Sequence, residues 1–322
     1  MIARRILLFS IAAVGGGLNI AGAAPAQSYP NRPIKLVVPF PPGGNIDVIG
    51  RLVAQQLSSQ LGQSVIVENR IGAGGTVASK AVATAESDGY TLLYGSSGSL
   101  AISQALYRNT PIENMVPVAI VASTPIMLAV ASAVPAKSAG ELIAYAKANP
   151  GKLSHGASLG TPPHLLGEFF RARTGIDIQY VPYRGSSQSI PDLLGGQFQI
   201  VADSAAVLLP YIQQGKLRPI VVASTTRFRE LPDVPTLIEI GLDGFPPQTW
   251  SGIVAPAGTP AAIIDKLNAA TNSALITPEM TASLAKLGFQ AEPGSPKDFA
   301  ALVATDTRKW AEVVKLTGVK IE

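Results

Sequence analysis

The chain contains no cysteine, which excludes disulfides, thiolate nucleophiles and Cys-ligated metals together. Histidine is nearly missing too: His155 and His164 are the only two imidazoles available as bases or metal ligands. Charged residues make up 14% of the 322 positions, and Lys and Arg never form a long run. The basic footprint of a nucleic-acid binder is therefore absent. Beyond residue 30 no apolar stretch approaches the ~20 residues that span a bilayer. What remains is 47% hydrophobic, too apolar for disorder and suited to large buried sheets. This length accommodates two domains of ordinary size, and a core of that size needs no disulfide support.

Residues 1–26 have the pattern of an export signal. Arg4 and Arg5 give a positive start, Ile6 to Val14 an apolar stretch, and the small residues Ala21-Gly22-Ala23 and Ala24-Pro25-Ala26 two A-x-A sites. A membrane anchor would need a longer run than Gly15-Gly16-Gly17 and Asn19 allow. The arginine pair suits a twin-arginine signal and an ordinary secretory start equally. The sequence thus predicts a periplasmic protein, cleaved near Ala23 or Ala26. Removing Arg4 and Arg5 reduces the formal charge from +4 to +2.

Short β-branched runs alternate with helical patterns along most of the chain. Strands are predicted at 34–38, 64–68, 91–95, 117–122, 126–131, near 153–155, and at 178–182, 198–202, 219–224 and 250–254. Helices are predicted at 46–60, 75–85, 138–148, 163–174, 187–195, 204–215 and 260–275, with 278–287 and 296–316 helical around a short strand at 289–291. This alternation predicts an α/β fold with mostly parallel sheets flanked by helices. Ser138 with Glu141 three residues on has the spacing of a capping box. Two segments resemble crossings between domains, Ser123-Thr124-Pro125 and the proline-rich stretch from Ser224 to Pro247. They predict one domain from 27–124 plus 247–322 and another from 125–246, a common plan for proteins that close on a ligand.

The enzymatic motifs fail for lack of partners. Gly156-Ala157-Ser158-Leu159-Gly160 fits G-x-S-x-G, the strongest hint of a serine esterase. The triad that such a serine requires has only His164 downstream, with no acid between. Gly72-Ala73-Gly74-Gly75 lacks the third glycine of a dinucleotide fingerprint, which would fall at Val77. His155, His164 and Glu168 are too few and too scattered for a metal site. No catalytic residue, cofactor or metal is predicted.

Polar loops of small residues instead follow several strands. Pro39-Phe40-Pro41-Pro42-Gly43-Gly44-Asn45-Ile46-Asp47 is a stiff strand-to-helix turn whose backbone N–H groups suit an anion. Ser96 to Ser99, Ser158 to Pro162, Tyr183 to Ser187, and Asp203-Ser204 occupy the same position after other strands. Ligands of open α/β sheets bind outside the carboxyl ends of strands, beside helix N-termini that favour negative charge.

Several segments together resemble the Bug family, the extracytoplasmic solute-binding receptors of tripartite tricarboxylate transporters. They are Pro39 to Asp47 with Arg51, Val67-Glu68-Asn69-Arg70, Gly72 to Gly75, Asp88-Gly89-Tyr90-Thr91-Leu92 and Gly160-Thr161-Pro162-Pro163-His164-Leu165. Val181-Pro182-Tyr183-Arg184-Gly185, Asp192 to Gly196, Leu231 to Thr236 and Ala255 to Pro260 continue the likeness in order to the C-terminus. The resemblance implies a two-domain Venus flytrap, like other periplasmic binding proteins, with two hinge crossings. It implies a cleft in which a small carboxylate is held by backbone N–H groups, small hydroxyls and bridging waters. With the loops above it predicts a ligand-binding set of Phe40, Gly43, Gly44, Asp47, Ser96, Ser158, Thr161, Pro162, Gly185, Ser186 and Asp203. The backbone at Pro162 is counted among the donors. Asp203 must be hydrogen-bonded, face a ligand amine or sit against Arg184. The implied partners are the small carboxylate and membrane transporter subunits, with the receptor a monomer. A role as a sensor presenting its closed form to a signalling protein is equally open. Thr110 to Val116 departs from the aspartate-rich turn ending in Asp-Phe that relatives usually carry, and the serine-rich stretch after residue 95 is unusual, so ligand identity is not borrowed from any relative.

Overall fold

A computed structural model describes residues 29–107 and 110–321; the expected export signal lies outside the described residues. From the N-terminus the chain forms β1 (Ile34–Val38), α1 (Asn45–Leu61), β2 (Val65–Asn69), α2 (Thr76–Ala83), β3 (Thr91–Ser96), α3 (Ser103–Leu106) and β4 (Met115–Thr124). It continues through β5 (Ile126–Ala131), α4 (Ala139–Ala148), β6 (Leu153–Ser158), α5 (Pro162–Thr174), β7 (Ile178–Tyr183), α6 (Ser186–Leu194), β8 (Ile200–Ser204), α7 (Ala205–Gln213) and β9 (Leu217–Ala223). The last elements are β10 (Thr249–Pro256), α8 (Ala261–Leu275), α9 (Pro278–Lys286), β11 (Gln290–Ala291) and α10 (Pro296–Thr317).

The strands form two sheets, ordered β11-β4-β10-β3-β1-β2 and β7-β6-β8-β5-β9. In the first, β1 lies parallel between β2 and β3, and β10 is antiparallel to both β3 and β4. In the second, β6 is parallel to β7 and β8, and β5 is antiparallel to both β8 and β9. Each sheet is therefore mixed, with a parallel set of strands and an antiparallel strand set among them. The chain passes from the first sheet to the second at Pro125 and returns through the irregular segment 224–248.

Period-2 alternation decides which core each strand feeds. Ile34, Leu36 and Val38 of β1 pack in a cluster with Ile49, Val53 and Leu57 of α1, and Val37 joins the opposite core. In β5, Ile126, Leu128 and Val130 face one core and Met127 and Ala129 the other. One cluster runs continuously from the first sheet to the second through Leu165 and Phe169 of α5 and Trp310 and Val313 of α10. Phe245 ties them together, its ring centroid 5.2 Å from Phe169 and 5.1 Å from Trp310. Each large side chain buried there is worth about 1.5–3 kcal/mol relative to exposure.

Local signals explain the helix ends. Ser295 and Asp298 form a reciprocal capping box at the start of α10, with Pro296 in its first turn. The Ser138 side chain accepts from the Glu141 N–H, but Glu141 accepts in return from the Lys137 N–H rather than from Ser138. Only half of the predicted box forms. The Ser96–Ser99 stretch also differs from the expected loop. Residues Gly98–Ile102 make a single wide helical turn leading directly into α3. Its serines serve their own backbone: the Ser96 N–H donates to Ser99 Oγ at 2.9 Å, and the Ser103 hydroxyl to the Ser99 carbonyl at 2.7 Å. That local bonding stabilises the turn that composition alone suggested was a loop.

β10 is held against α10 by one buried polar contact. Trp250 Nε1 donates to Asp306 Oδ2 at 2.6 Å, and the Trp250 ring meets Phe299 edge-on at 5.3 Å. Gly252 on the same strand lets Phe299 approach: a Cβ there would lie 2.5 Å from its ring and 2.6 Å from the Ala119 carbonyl. Burial raises the carboxyl of Asp306, against the pull of the Trp250 bond. Asp306→Ala should lower the unfolding free energy by about 1–3 kcal/mol, because it strands the buried Trp250 donor. Asp306→Asn keeps an acceptor and should cost less. Urea unfolding of the two variants checks the order, and equal losses would contradict it.

Candidate functional site

β1 ends at Val38, and the chain turns through Pro39–Gly44 before α1 begins. One buried carboxylate fixes that turn. Asp47 accepts from the Gly43 N–H at 2.9 Å, from Arg51 Nε at 2.9 Å and Nη2 at 3.0 Å, and from Asn69 Nδ2 at 2.8 Å. Asn69 Nδ2 also donates to the Phe40 carbonyl at 2.9 Å. Burial alone would raise the carboxyl, but the bonds from Arg51, Asn69 and Gly43 together hold it below the usual range. Gly43 takes the left-handed φ of +81° that this hairpin needs.

Behind this loop and between the sheets lies a cavity of about 940 Å³, its open mouth included. From the first sheet it is lined by Phe40, Pro41, Gly44, Asn45, Ile46, Ser96, Thr249, Trp250 and Phe289. From the second come Ile126, Ala157, Ser158, Thr161, Pro162, Pro163, Arg184, Gly185, Ser186, Ser187, Ser189, Ala202, Asp203 and Ser204. Nine of the eleven residues singled out from the sequence thus line one cavity. Gly43 and Asp47 do not: they stand behind the lining, with the Gly43 N–H already given to Asp47.

Four helices present their N-terminal ends here: α1 at Gly44–Ile46, α5 at Thr161–Pro163, α6 at Gly185–Ser187 and α7 at Ser204. None has a side-chain cap, whereas α4, α9 and α10, away from the cavity, are capped by Ser138, Thr277 and Ser295. α2 and α8 are uncapped as well, so it is the convergence that distinguishes the cavity. The four ends are unequal as donors. Pro162 and Pro163 have no amide hydrogen, so the expectation that the Pro162 backbone donates is corrected: its ring is wall. The Gly160 N–H goes to His164 Nδ1 at 3.3 Å, and the Thr161 N–H and hydroxyl both go to the Ser158 carbonyl, at 3.3 and 2.6 Å. The α5 end is therefore largely spent within its own turn. At α1 and α6 the first N–H groups have no partner within the helix and face the cavity.

Side chains complete the picture. Asn45 Nδ2 donates to Ser204 Oγ at 3.0 Å, joining the two sheets across the cavity. The Ser97 and Thr249 hydroxyls lie 2.6 Å apart beside it. Asp203 is buried; its Oδ2 accepts from the Ser186 hydroxyl at 2.5 Å and its Oδ1 from the Ser204 N–H at 2.7 Å. Burial pushes its carboxyl up to about 6, against the opposing bonds from Ser186 and Ser204. No described Lys or Arg pairs with it. Of the three settings left open for Asp203, the hydrogen-bonded one is present and the contact with Arg184 is not.

The histidines sit in the wrong places for serine chemistry. His155 is fully buried on β6, three residues from Ser158, with neither ring nitrogen hydrogen-bonded. Burial, with a smaller contribution from His164, pushes it down to about 3. His164 is buried against Tyr180, ring centroids 4.2 Å apart, and burial pushes it down to about 4. The Ser158 hydroxyl donates instead to the Arg184 carbonyl at 3.5 Å, and Glu168 is held by Arg171 at 2.7 Å. Thr249, Trp250, Phe289 and Ile126 line the cavity without any local sequence signal, since they arrive from distant segments. Asn45, Ser187 and Ser204 lay inside the polar loops that composition had marked.

Comparison with known proteins agrees with this geometry. The model of the tripartite tricarboxylate transporter family receptor matches residues 49–319. Protein BugT of Bordetella pertussis is 38% identical over 309 residues, covering 94% of this chain and 95% of that protein. Among solved structures, R. palustris Rpa4515 with adipate superposes with a TM-score of 0.84 at 35% identity, covering 91% of this chain and 99% of that one. MatC from Rhodopseudomonas palustris with bound malate gives 0.82 at 32% identity, covering 89% and 100%. The two-sheet architecture, the convergent loops and these matches place the chain in the tripartite tricarboxylate transporter receptor family.

Proposed function

We propose that this protein is a periplasmic receptor that captures a small organic carboxylate in the cavity and closes on it without chemistry. The observation that carries this reading is the meeting of two uncapped helix N-termini, α1 and α6, from different sheets across one cavity. Each such terminus favours an anion by roughly 0.3–2 kcal/mol, too little to hold a ligand alone. A ligand that touches both rewards closure, which is how a two-lobed protein converts binding into a change of shape. The lobes are residues 27–124 plus 247–322 and residues 125–246, hinged at Pro125 and in the 224–247 segment. Phe40, Gly44, Ser96, Ser158, Thr161, Gly185, Ser186 and Asp203 contact the ligand, with Asn45 and Ser187 added, while Gly43, Asp47 and Pro162 shape the wall. Adipate and malate in the two R. palustris relatives support a carboxylate. Residues 1–26 direct export and are removed near Ala23 or Ala26. The mature chain works as a monomer, and its closed form is what tripartite transporter subunits recognise.

Three outcomes are expected. Trp250 lines the cavity, so titration with a panel of mono- and dicarboxylates should change its fluorescence and raise the Tm for at least one member. Saturation at 100 times Kd stabilises by ~2.7 kcal/mol; no response to any small carboxylate would sink the reading. Asp47→Ala frees the glycine loop and should weaken carboxylate binding by roughly tenfold, about 1.4 kcal/mol, with the far-UV spectrum unchanged. Unaltered affinity would remove Asp47 as the loop's anchor.

The third concerns pH. Asp203 stays protonated in the folded chain up to about 6, against an ordinary value of 3.8. Between these values the native state binds more protons than the unfolded one, so its contribution to stability is present at low pH and lost as pH rises through 6. Asp203→Asn should therefore gain on the unliganded parent chain from pH 4 to about pH 6 and hold that gain to pH 7, measured by thermal unfolding. A pH-independent difference would contradict the assignment.

A further inference from the structure

The lining of the cavity contains one acidic and one basic side chain, Asp203 and Arg184. They do not pair with each other, and neither forms an ion pair with any other described residue. Arg184 is exposed at the mouth, whereas Asp203 is only 7% exposed. A buried carboxylate without a counter-ion is costly, and a receptor for anions gains nothing by placing one against its ligand. Its neighbours do not neutralise it: Ser186 and Ser204 give it two hydrogen bonds, and a carboxylate has about four acceptor positions. Asp203 itself lines the cavity. Apart from these two residues the walls are small hydroxyls and apolar groups such as Ile46, Ile126 and Trp250.

Resting on the carboxylate-receptor reading above, we infer that the ligand is an amino acid, its carboxylate taken by the uncapped helix ends and its ammonium by Asp203. A zwitterion matches a site with one charge of each sign and no spare cation. A tricarboxylate would bring three negative charges to a cavity with a single arginine at its rim and an acid in its floor. The ammonium supplies the counter-charge that Asp203 lacks inside the protein, and charge-assisted bonds of this kind are the strong ones in a desolvated site. The Asp203 carboxyl, which burial raises to about 6, would be drawn back to the ionised form when the ligand arrives.

Calorimetry with matched sets tests this: propionate and alanine, hexanoate and norleucine, succinate, malate and aspartate. The amino member of at least one set should bind the wild-type protein at least about tenfold more tightly than its parent acid. In Asp203→Asn that preference should disappear or reverse. The inference is overturned if parent or hydroxy acids equal the amino acids on the wild type, a result that leaves carboxylate capture standing. It is also overturned if Asp203→Asn keeps the preference. Should no acid of either kind bind, the receptor reading itself falls with it. The wild-type comparison decides even if the variant fails to fold.

Discussion

The cavity exists because strands that run in parallel bring their carboxyl ends, and the helices that follow them, to the same edge of a sheet. β1 and β3 do so in the first sheet, and β6, β7 and β8 in the second. Each parallel step requires a crossover helix, and each crossover places a helix N-terminus beside the strand end it leaves. Two sheets arranged in this way surround a space with oriented backbone dipoles and very little fixed charge. The antiparallel strands serve another purpose. β5 and β10 follow the two passages between the sheets, and they bring Ile126, Thr249 and Trp250 to the cavity from the point where the halves join.

Polar side chains in the protein divide between holding and touching. Asp47 never reaches the cavity, yet four bonds converge on it and fix the loop that does. Asp306 plays a similar part behind Trp250. The two histidines are held neutral by burial, and His155 fills the space left by Gly167, where a Cβ would meet its ring at 2.3 Å. Asp203 differs from all of these in facing open space with hydrogen bonds but no counter-charge. Asn45 and Ser204 span the cavity and give its two sides a direct polar contact.

Much of the fold was legible because apolar period and helix-end chemistry agree along the chain. β1, β5 and α4 fall at or within a residue of their predicted bounds, since each has a clean alternation or cap. The Gly98–Ile102 turn was not legible: serine and glycine usually mark loops, and here the serines bond their own backbone. In the site, the glycine and serine loops identified the lining well, because small residues at strand ends have few other uses. Pro162 was misjudged as a donor for a reason the sequence itself contains, the absence of an amide hydrogen. That Asp47 stands behind the lining was not legible, because its partner Asn69 lies on another strand. Trp250 and Phe289 could only be placed by knowing how β10 and β11 return to the first sheet.

The central claim is that a carboxylate bridges the α1 and α6 helix ends. A crystal structure of the protein grown with a carboxylate that raises its Tm addresses this most directly. Carboxylate oxygens are expected within hydrogen-bond distance of backbone N–H groups at Asn45–Ile46 or Ser186–Ser187, with both sheets touching the same molecule. A ligand bound outside this cavity, or seated in it through side chains alone with both helix ends facing water, would contradict the claim.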